Sequence, residues 1–476
     1  MRYEAVIGLE IHAQMLTDSK IFCGCSTKFG AEPNSQTCPV CTGMPGVLPV
    51  LNKRVVEYAI KAGLALDCDI SRHSRFARKN YFYPDLPKGY QISQYELPIC
   101  ENGHIDIVTE GKSRKVGITR IHMEEDAGKN LHGSEKGYSY VDLNRTGVPL
   151  IEIVTEPDIR TPAEAAVFMR TLRSIVRYLG VCDGNMEQGS LRCDANVSVR
   201  PEGADELGTK AEIKNINSFR FVEKAVEYEI KRQISVIEDG GSVVQETRLF
   251  DSEKGTTHSM RSKEEAHDYR YFPDPDLVPL EVSEDWIAEI RRAMPELPGQ
   301  KKDRFMREIG LPEHDADILS EERDVAEWFE HVIKEGADAK SAANWMINEL
   351  LRLVGDEGIQ VSESKVKPDQ LARMLVLIDD GTIIGKIAKK VFSKMYETGM
   401  EHGKIVEEEG LEQISDSSEL EGIVDKVLGS NPDEVERFKG GDHKLMGFFV
   451  GHIMKETKGK ANPKLVNELI RKKMGS

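Results

Sequence analysis

The spacing of apolar residues changes near residue 290, and this change limits the possible folds of the 476-residue chain more than any other feature. Before it, short runs such as GLEIHAQ, HIDIV, PLIEIVTE and SLRCDANVSVR alternate apolar and polar residues, which is typical of strands with one buried face. Two segments among them, 161–180 and 219–241, have apolar residues three and four apart and end in Gly, as helices do. After residue 290, nearly every segment has this helical spacing.

These patterns predict the α+β class and three domains. Because the strands are clustered with few helices to connect them, we expect a mixed or antiparallel sheet. The sheet domain is predicted to span residues 1–292, an all-helical domain residues 293–405, and a small helical tail residues 406–476. The length agrees with such a division, since one core rarely serves more than about 250–300 residues.

Charge is distributed unevenly along the chain. The net charge of −17 argues against unselective binding of nucleic acid. From Arg437 to Ser476, however, ten Lys or Arg stand against three acids, so this end is predicted to meet a polyanion. No apolar run approaches the roughly 18 residues of a membrane span, and the N-terminal residues resemble neither a signal nor a transit peptide. We therefore expect a cytoplasmic protein with no membrane partner.

Four of the eight cysteines form two close pairs, CGC and CPVC, in the segment 23–41. Cys23, Cys25, Cys38 and Cys41 can present four thiolates to Zn²⁺, and no position would remain for water, so such an ion would be structural. An iron–sulfur cluster is a less favoured alternative, and four unlinked thiols are a third.

Adjacent acids end the strand-like run ITRIHMEED: Glu124, Glu125 and Asp126. Neighbouring carboxylates repel each other unless a cation lies among them, and Mg²⁺ accepts one or two carboxylates. Glu10 and His12 share one face of the strand-like run GLEIHAQ, so they would join this cation if the two strands were neighbours. Because histidine is an uncommon Mg²⁺ ligand, Mn²⁺ or an indirect role for His12 is an alternative. An ordinary solvated strand face also explains GLEIHAQ taken alone.

Two further segments carry side chains suited to phosphates and bases. In SLRCDANVSVR, one face bears Arg192, Asp194 and Asn196, which can bind phosphates or a metal, with Glu187 just upstream. The segment 72–96 interleaves cations, including Lys79, with aromatic rings, including Tyr81. A wet sheet face and a solvated loop are the plainer explanations. The chain has no P-loop, no dinucleotide fingerprint and no Ser-rich amidase nucleophile.

A series of motifs stands in order along the chain: GLEIHAQ, RKNYFYPDLPKGYQISQYE, RIHMEEDAGK, DLNRTGVPLIEIVTEPD, SLRCDANVSVR and DYRYFPDPDLVP. With them the chain resembles the B-subunit family of the aspartyl/glutamyl-tRNA amidotransferases from Met1 to its end. The resemblance implies a cradle domain similar to the glutathione synthetases. It also implies ATP- and Mg²⁺-dependent phosphorylation of the side-chain carboxylate of mischarged Glu-tRNA(Gln) or Asp-tRNA(Asn), followed by transamidation with ammonia.

The implied partners are the A-type amidase subunit, which releases ammonia from glutamine, the small C-type subunit, tRNA(Gln) or tRNA(Asn), and a non-discriminating aminoacyl-tRNA synthetase. Some members lack the four cysteines, so zinc in segment 23–41 is expected to support structure only. Carried onto this sequence, the family's roles fall on catalytic Glu10, His12, Lys79 and Glu125; on substrate-binding Tyr81, Arg192, Asp194 and Asn196; and on the Mg²⁺ ligands Glu10, His12, Glu124, Glu125 and Glu187.

Two alternatives from other functional classes remain open at this point. A tRNA-binding scaffold without catalysis would use the acids to hold a structural ion. A metal hydrolase would act through His12 and Glu10 and would need no ATP. Which mischarged tRNA is the substrate is not encoded in any motif.

Overall fold

The computed structural model describes residues 2–132, 138–260, 269–380, 383, 385–409, 417–457, 461 and 463–475. Its strands are β1 Tyr3–Gln14, β2 Asp69–Ile70, β3 His73–Ser74, β4 Ala77–Asn80, β5 Tyr90–Ser93, β6 Cys100–Thr109, β7 Lys112–Glu125, β8 Lys129–His132, β9 Ser139–Asp142, β10 Pro149–Thr155, β11 Leu191–Pro201, β12 Ala211–Ile216, β13 Thr247–Asp251, β14 Thr256–Ser259, β15 Phe272–Pro273 and β16 Leu280–Glu281.

Nine of these strands form one sheet, in the order β14-β13-β12-β11-β1-β10-β7-β6-β2. All neighbours are antiparallel except β12 and β13, so the sheet is mixed, as predicted. A large mixed sheet combined with many helices agrees with the predicted α+β class, whereas the likeness to glutathione synthetases stays a prediction. The long strands β1, β10, β7 and β11 lie at the centre of the sheet and carry most of the predicted site residues.

Three helices cover one face of this sheet: α1 Lys53–Ala65, α2 Pro162–Tyr178 and α3 Phe219–Glu238. Along β1, Ile7, Leu9, Ile11 and Ala13 face the helices and are buried in the main core. The residues that alternate with them face the opposite side of the sheet, where no helix of this set packs. The sheet therefore presents one apolar face to its helices and one polar face that is free to form a site.

The chain separates into two compact units, Met1–Pro298 and Gly299–Ser476. The remaining helices are α4 Glu284–Arg292, α5 Pro298–Arg304, α6 Glu313–Glu321, α7 Arg323–Lys334, α8 Ala339–Trp345, α9 Leu351–Glu357, α10 Pro368–Asp379, α11 Gly385–Thr398, α12 His402–Glu408, α13 Ser417–Gly429, α14 Pro432–Lys439, α15 Met446–Glu456 and α16 Pro463–Met474. Two π-helical stretches, Phe305–Ile309 and Met346–Leu350, continue α5 and α8.

Within the second unit, α13 to α16 enclose a small core of their own that includes Val424, Phe449 and Ile470. The division into three domains at residues 292 and 405 stays a prediction. No helix among the described residues is long and apolar enough to cross a membrane.

Candidate functional site

The polar face of the central sheet carries a row of charged side chains across four strands. Strand register places Arg192 of β11 opposite His12 of β1, His12 opposite Glu152 of β10, and Glu152 opposite His122 of β7. Strand neighbours that share a face lie about 5 Å apart, so their side chains must interact. The expectation that β1 and β7 are neighbouring strands is wrong, because β10 lies between them. His12 and Glu124 nevertheless approach each other across β10.

Four of these side chains meet in what we call the acid–histidine cluster: His12, His122, Glu124 and Glu152. The Nε2 atom of His12 lies 3.3 Å from Oε2 of Glu152 and 3.5 Å from Oε1 of Glu124. The Nε2 atom of His122 lies 3.1 Å from the same Glu152 oxygen and 3.7 Å from Oε2 of Glu124. Ser93 Oγ donates a hydrogen bond of 3.1 Å to Glu124. Two carboxylates thus share two imidazoles in a nearly closed space.

The carboxylates and imidazoles of the cluster shift each other's pKa values. Burial alone would lower the pKa of His122, but the charge of Glu152 and hydrogen bonds to both glutamates outweigh it and raise that pKa to about 9. Burial opposes the same kind of shift at His12, whose pKa is nevertheless raised by Glu152 and Glu124. The imidazoles in turn lower the pKa of both glutamates against the effect of burial. A cation is therefore strongly favoured here, either as a proton or as a metal ion.

A second group of possible ligands adjoins the first through His12. Ligand atoms of Glu10, His12 and Asp194 lie within 4.8 Å of one another. Burial and the nearby Glu152 raise the pKa of Glu10. Asp194, however, already accepts a hydrogen bond of 2.7 Å from Lys214. Because Lys214 already supplies a positive charge to this second group, a metal ion is less favoured here than in the acid–histidine cluster. Asn196 lies farther along the same face of β11.

Glu125 and Glu187 are not brought together with these groups. Glu125 lies next to Glu124 on β7, so its side chain leaves the strand on the other side. It forms a buried ion pair with Lys88 and accepts a hydrogen bond of 2.9 Å from the backbone N–H of Ile92. Glu187 is exposed in the loop before β11. Neither position supports the predicted role of these two residues as metal ligands.

Cations flank the acid–histidine cluster on both sides. On one side, burial opposes a rise in the pKa of Lys79, but the charge of Glu124 and neighbouring groups raises it above the ordinary lysine value. The Nζ atom of Lys79 lies 4.9 Å from the centre of the Tyr269 ring. Tyr81 donates a hydrogen bond of 3.0 Å to Gln91, and burial raises its pKa. The aromatic rings of Tyr81 and Tyr269 therefore both lie beside the ammonium group of Lys79.

On the other side, Asp126 holds Arg192. The Nη2 atom of Arg192 lies 3.1 Å from Oδ2 of Asp126, which also accepts a hydrogen bond of 2.8 Å from Gln14 and lies 3.6 Å from Nε of Arg145. Burial would raise the pKa of Asp126, but Arg192 and Arg145 lower it, so the carboxylate stays charged. The buried Nε atom of Arg192 has no hydrogen-bond partner among the described residues. At least one N–H of this guanidinium therefore lacks a protein partner in the described part of the chain.

The four predicted cysteines do come together. The sulfur of Cys41 lies 3.5 Å from that of Cys23 and 3.8 Å from that of Cys38, and the sulfur atoms of all four lie within 4.8 Å of one another. Four sulfurs around one Zn²⁺ at about 2.3 Å would be about 3.8 Å apart, so the spacing fits tetrahedral coordination. A hydrogen bond with Cys23 and the nearby Lys20 ammonium lower the pKa of Cys41, although burial opposes the shift.

Sequence reasoning gave no role to four residues of the polar face, His122, Glu152, Asp126 and Lys214, or to Lys88, the partner of Glu125. Glu152 had a visible signal, because it is the one charged residue in the apolar run LIEIV of β10. His122 precedes Glu124 by two positions and so shares its face. The pairing of Lys88 with Glu125 and of Lys214 with Asp194 depends on tertiary contacts that strand periodicity does not encode.

Two protein-family models match this chain and indicate its class. The GatB/GatE catalytic domain model matches residues 5–288, and the GatB domain model matches residues 327–474. The B subunit of aspartyl/glutamyl-tRNA(Asn/Gln) amidotransferase from Thermodesulfovibrio yellowstonii is 66% identical over 470 residues, which is 99% of each chain. The proteins of that name from Syntrophotalea carbinolica and Geobacter sulfurreducens are each 60% identical, over 99% and 100% of both chains. The chain belongs to the family of aspartyl/glutamyl-tRNA(Asn/Gln) amidotransferase B subunits.

Proposed function

We propose that this chain activates the side-chain carboxylate of Glu or Asp esterified to tRNA and converts it to the amide, using ATP and ammonia. The acid–histidine cluster flanked by Lys79 and Arg192 is the observation that carries the proposal. It combines a site for a divalent cation with two fixed positive charges, which is what a phosphoryl transfer requires. Membership of a family of amidotransferase subunits supports the same chemistry.

The chemistry needs two steps because a carboxylate oxygen is a poor leaving group. First, an oxygen of the substrate carboxylate attacks the terminal phosphorus of ATP, the bond to ADP breaks, and an acyl phosphate forms. Next, the nitrogen of ammonia attacks the acyl carbon, and inorganic phosphate leaves with the former carboxylate oxygen. The nitrogen loses a proton as the amide forms. Both steps place negative charge on phosphoryl oxygens, and fixed cations would stabilise that charge.

The donor set of the cluster fits a divalent metal. His12, Glu124 and Glu152 offer one nitrogen and two oxygen ligands, and each has a ligand atom within 4.8 Å of the others. Carboxylates suit Mg²⁺, while the imidazole shifts the preference toward Mn²⁺. A bound ion would neutralise phosphate oxygens and orient the terminal phosphate of ATP. His122 contacts the same oxygen of Glu152 as His12 and would hold that carboxylate in position.

The flanking residues are assigned by their contacts. Lys79 would contact a transferring phosphoryl group, because it lies near enough to the cluster for the charge of Glu124 to raise its pKa. Arg192 would donate a guanidinium N–H to a phosphate oxygen or to the acceptor end of the tRNA while Asp126 holds its Nη2 atom. Tyr81, Asp194 and Asn196 line the same polar region and would position the substrate. Glu10 lies beside His12 and would modify how strongly His12 binds a cation.

The remaining partners are part of the same proposal. The four cysteines would hold a structural Zn²⁺ in the segment 23–41. The A-type amidase subunit would supply ammonia, and the small C-type subunit would join the two, as the subunit name of the relatives suggests. The basic C-terminal tail would bind the tRNA body, and a non-discriminating synthetase would provide the mischarged tRNA.

The test is the amino acid released from tRNA after incubation. The chain, with and without its partner subunits, is given Glu-tRNA(Gln) or Asp-tRNA(Asn), Mg²⁺ and ammonium chloride, with ATP present or omitted. Formation of Gln or Asn only with ATP is expected. Product without ATP would contradict the activation step. Binding of tRNA without any product in the full complex would favour the non-catalytic scaffold, and release of free Glu or Asp would favour the hydrolase.

A further inference from the structure

Lys20 is a fully buried lysine beside the four cysteines, and neither the catalytic proposal nor the cysteine motif uses it. Its side chain has no solvent-exposed surface. The ammonium group donates hydrogen bonds to the carbonyl oxygens of Gln36 at 2.8 Å and Leu143 at 3.3 Å. Its third contact is the sulfur of Cys41 at 3.4 Å. All three N–H donors are therefore used.

The charge of this ammonium group needs a counter-charge. A buried cation is strongly unfavourable unless an anion lies next to it. Within the described residues, no carboxylate lies within ion-pair distance of the Lys20 Nζ atom, and its two carbonyl partners are neutral. The sulfur of Cys41 can supply the negative charge as a thiolate. Four thiolates around a divalent ion keep a net negative charge, which an adjacent ammonium would partly neutralise.

We propose that Lys20 stabilises the thiolate of Cys41 in the four-cysteine metal centre. Through its hydrogen bond to Leu143, it also connects the centre to the segment 143–147. This inference depends on the proposed metal in segment 23–41 but not on the proposed catalysis. Lys20 is a positioning residue, since it would act through Cys41 and not on the ion. Other metal sites also contain residues that do not bind the metal themselves but hydrogen-bond to its ligands and orient them.

The same lysine also lies on a path from the metal centre to the polar face of the sheet. The backbone N–H of Ile21 donates to the carbonyl of Gly147 at 2.9 Å, and that of Gly147 donates to the carbonyl of Asp126 at 2.9 Å. Asp126 is the residue that holds Arg192. The hydrogen bond from Lys20 to Leu143 anchors the start of this segment. Lys20 and Ile21 therefore both contact the segment 143–147, which also contacts Asp126.

The test compares Lys20→Met with Lys28→Met in the full chain. The first variant keeps the length of the apolar stem and removes the charge. Lys28 belongs to the same cysteine segment, and no contact of its ammonium is seen within the described residues, so its variant is the matched control. Zn²⁺ content and the rate of Zn²⁺ transfer to a chromogenic chelator are measured. We expect at least tenfold faster release from Lys20→Met and an unchanged rate from Lys28→Met.

Equal release rates from the parent and Lys20→Met would overturn the role of Lys20 while leaving the metal in place. A parent chain that contains no metal and takes up neither Zn²⁺ nor Co²⁺ would overturn the metal centre itself. Both results are independent of the transamidation assay, so failure of the catalytic proposal is recognised separately.

A second measurement needs no variant and therefore does not depend on its folding. The unchanged chain, with and without its metal, is treated with an amine-acetylating reagent, and each lysine is analysed by mass spectrometry. Lys20 is expected to be protected in the metal-bound chain and to become at least tenfold more reactive after removal of the metal, while Lys28 reacts in both. Equal protection of Lys20 in the two states would contradict its place in the centre.

Discussion

At the scale of single residues, the site is determined by which carboxylates share a face of the sheet. Glu124 and Glu125 are adjacent in sequence and both buried, yet one joins two histidines and the other pairs with Lys88. Strand periodicity alone separates their chemistry, because successive side chains leave opposite sides of a strand. The sequence could show that an acid pair ends β7, but only the strand order shows which member meets His12.

Glu124→Gln is expected to lower the rate of ATP-dependent amide formation by at least about a hundredfold. The change removes a negative charge that a divalent cation and both histidines need, and loss of one such group typically costs two to four orders of magnitude in rate. Binding of tRNA should stay within about twofold of the parent, since Glu124 is buried in the sheet domain. Glu187→Gln, at an exposed acid in the same unit, is the control. Full activity of Glu124→Gln would remove the cluster from the mechanism.

Glu125→Gln is expected to act chiefly on stability. Removing one member of a buried ion pair leaves Lys88 without its counter-charge, which costs about 3 kcal/mol of unfolding free energy. Denaturant unfolding of the sheet domain measures this loss. The double change Glu125→Gln with Lys88→Met should recover part of it, because no buried charge is then left unpaired. Unchanged stability together with lost metal affinity would instead return Glu125 to the metal site.

At the scale of elements, strands and helices follow closely from local pattern. The predicted strand runs lie in β1, β6, β7, β10 and β11, and the two predicted helices are α2 and α3. Both helices are followed by a Gly with positive φ, Gly180 and Gly240, as their terminal glycines indicate. The spacing in KPDQLARMLVLIDDG also predicts a helix that stops at Gly381, and this glycine lies outside the described residues. The order of the strands was not predictable, because pairing between β1 and β11 joins residues almost 200 positions apart.

Helix α2 offers a test of local stabilisation. Thr161 accepts a hydrogen bond of 3.1 Å from the backbone N–H of Glu164, and the Glu164 carboxylate accepts hydrogen bonds from the N–H groups of Arg160 and Thr161. Thr161→Ala is expected to cost about 1 kcal/mol of unfolding free energy, the usual effect of losing an N-cap. Thr161→Ser should retain most of it. Identical unfolding curves for Thr161→Ala and the parent would show that the cap is not needed.

At the scale of the whole molecule, the chain combines an acidic sheet unit with a basic helical end. Apolar spacing changes near residue 290, and the described chain separates into the units Met1–Pro298 and Gly299–Ser476. The basic stretch 437–476 is only part of the second unit, and the three-domain division stays a prediction. The exact boundary between the two units could not be predicted from the sequence. Periodicity indicates whether a segment is a helix or a strand, but not which other segments it contacts. The small core around Phe449 shows that α13 to α16 pack as a group.

Removal of residues 410–476 is expected to weaken tRNA binding and to flatten its dependence on salt. Each lost phosphate contact should reduce the slope of log affinity against log salt by about 0.7 to 0.9. Filter binding of tRNA at several salt concentrations measures both effects. The rate of amide formation at saturating tRNA should change little, since the acid–histidine cluster lies in the other unit. An unchanged slope would place the tRNA-binding surface elsewhere.

The central claim is that this chain's sheet domain activates a carboxylate by phosphorylation. It is tested most directly with Glu-tRNA(Gln) labelled with ¹⁸O in the side-chain carboxylate, incubated with the complete complex, ATP and ammonia. If an acyl phosphate forms, one labelled oxygen must appear in the inorganic phosphate, and Glu124→Gln must abolish this transfer. Phosphate without ¹⁸O, formed alongside Gln-tRNA(Gln), would contradict the claim.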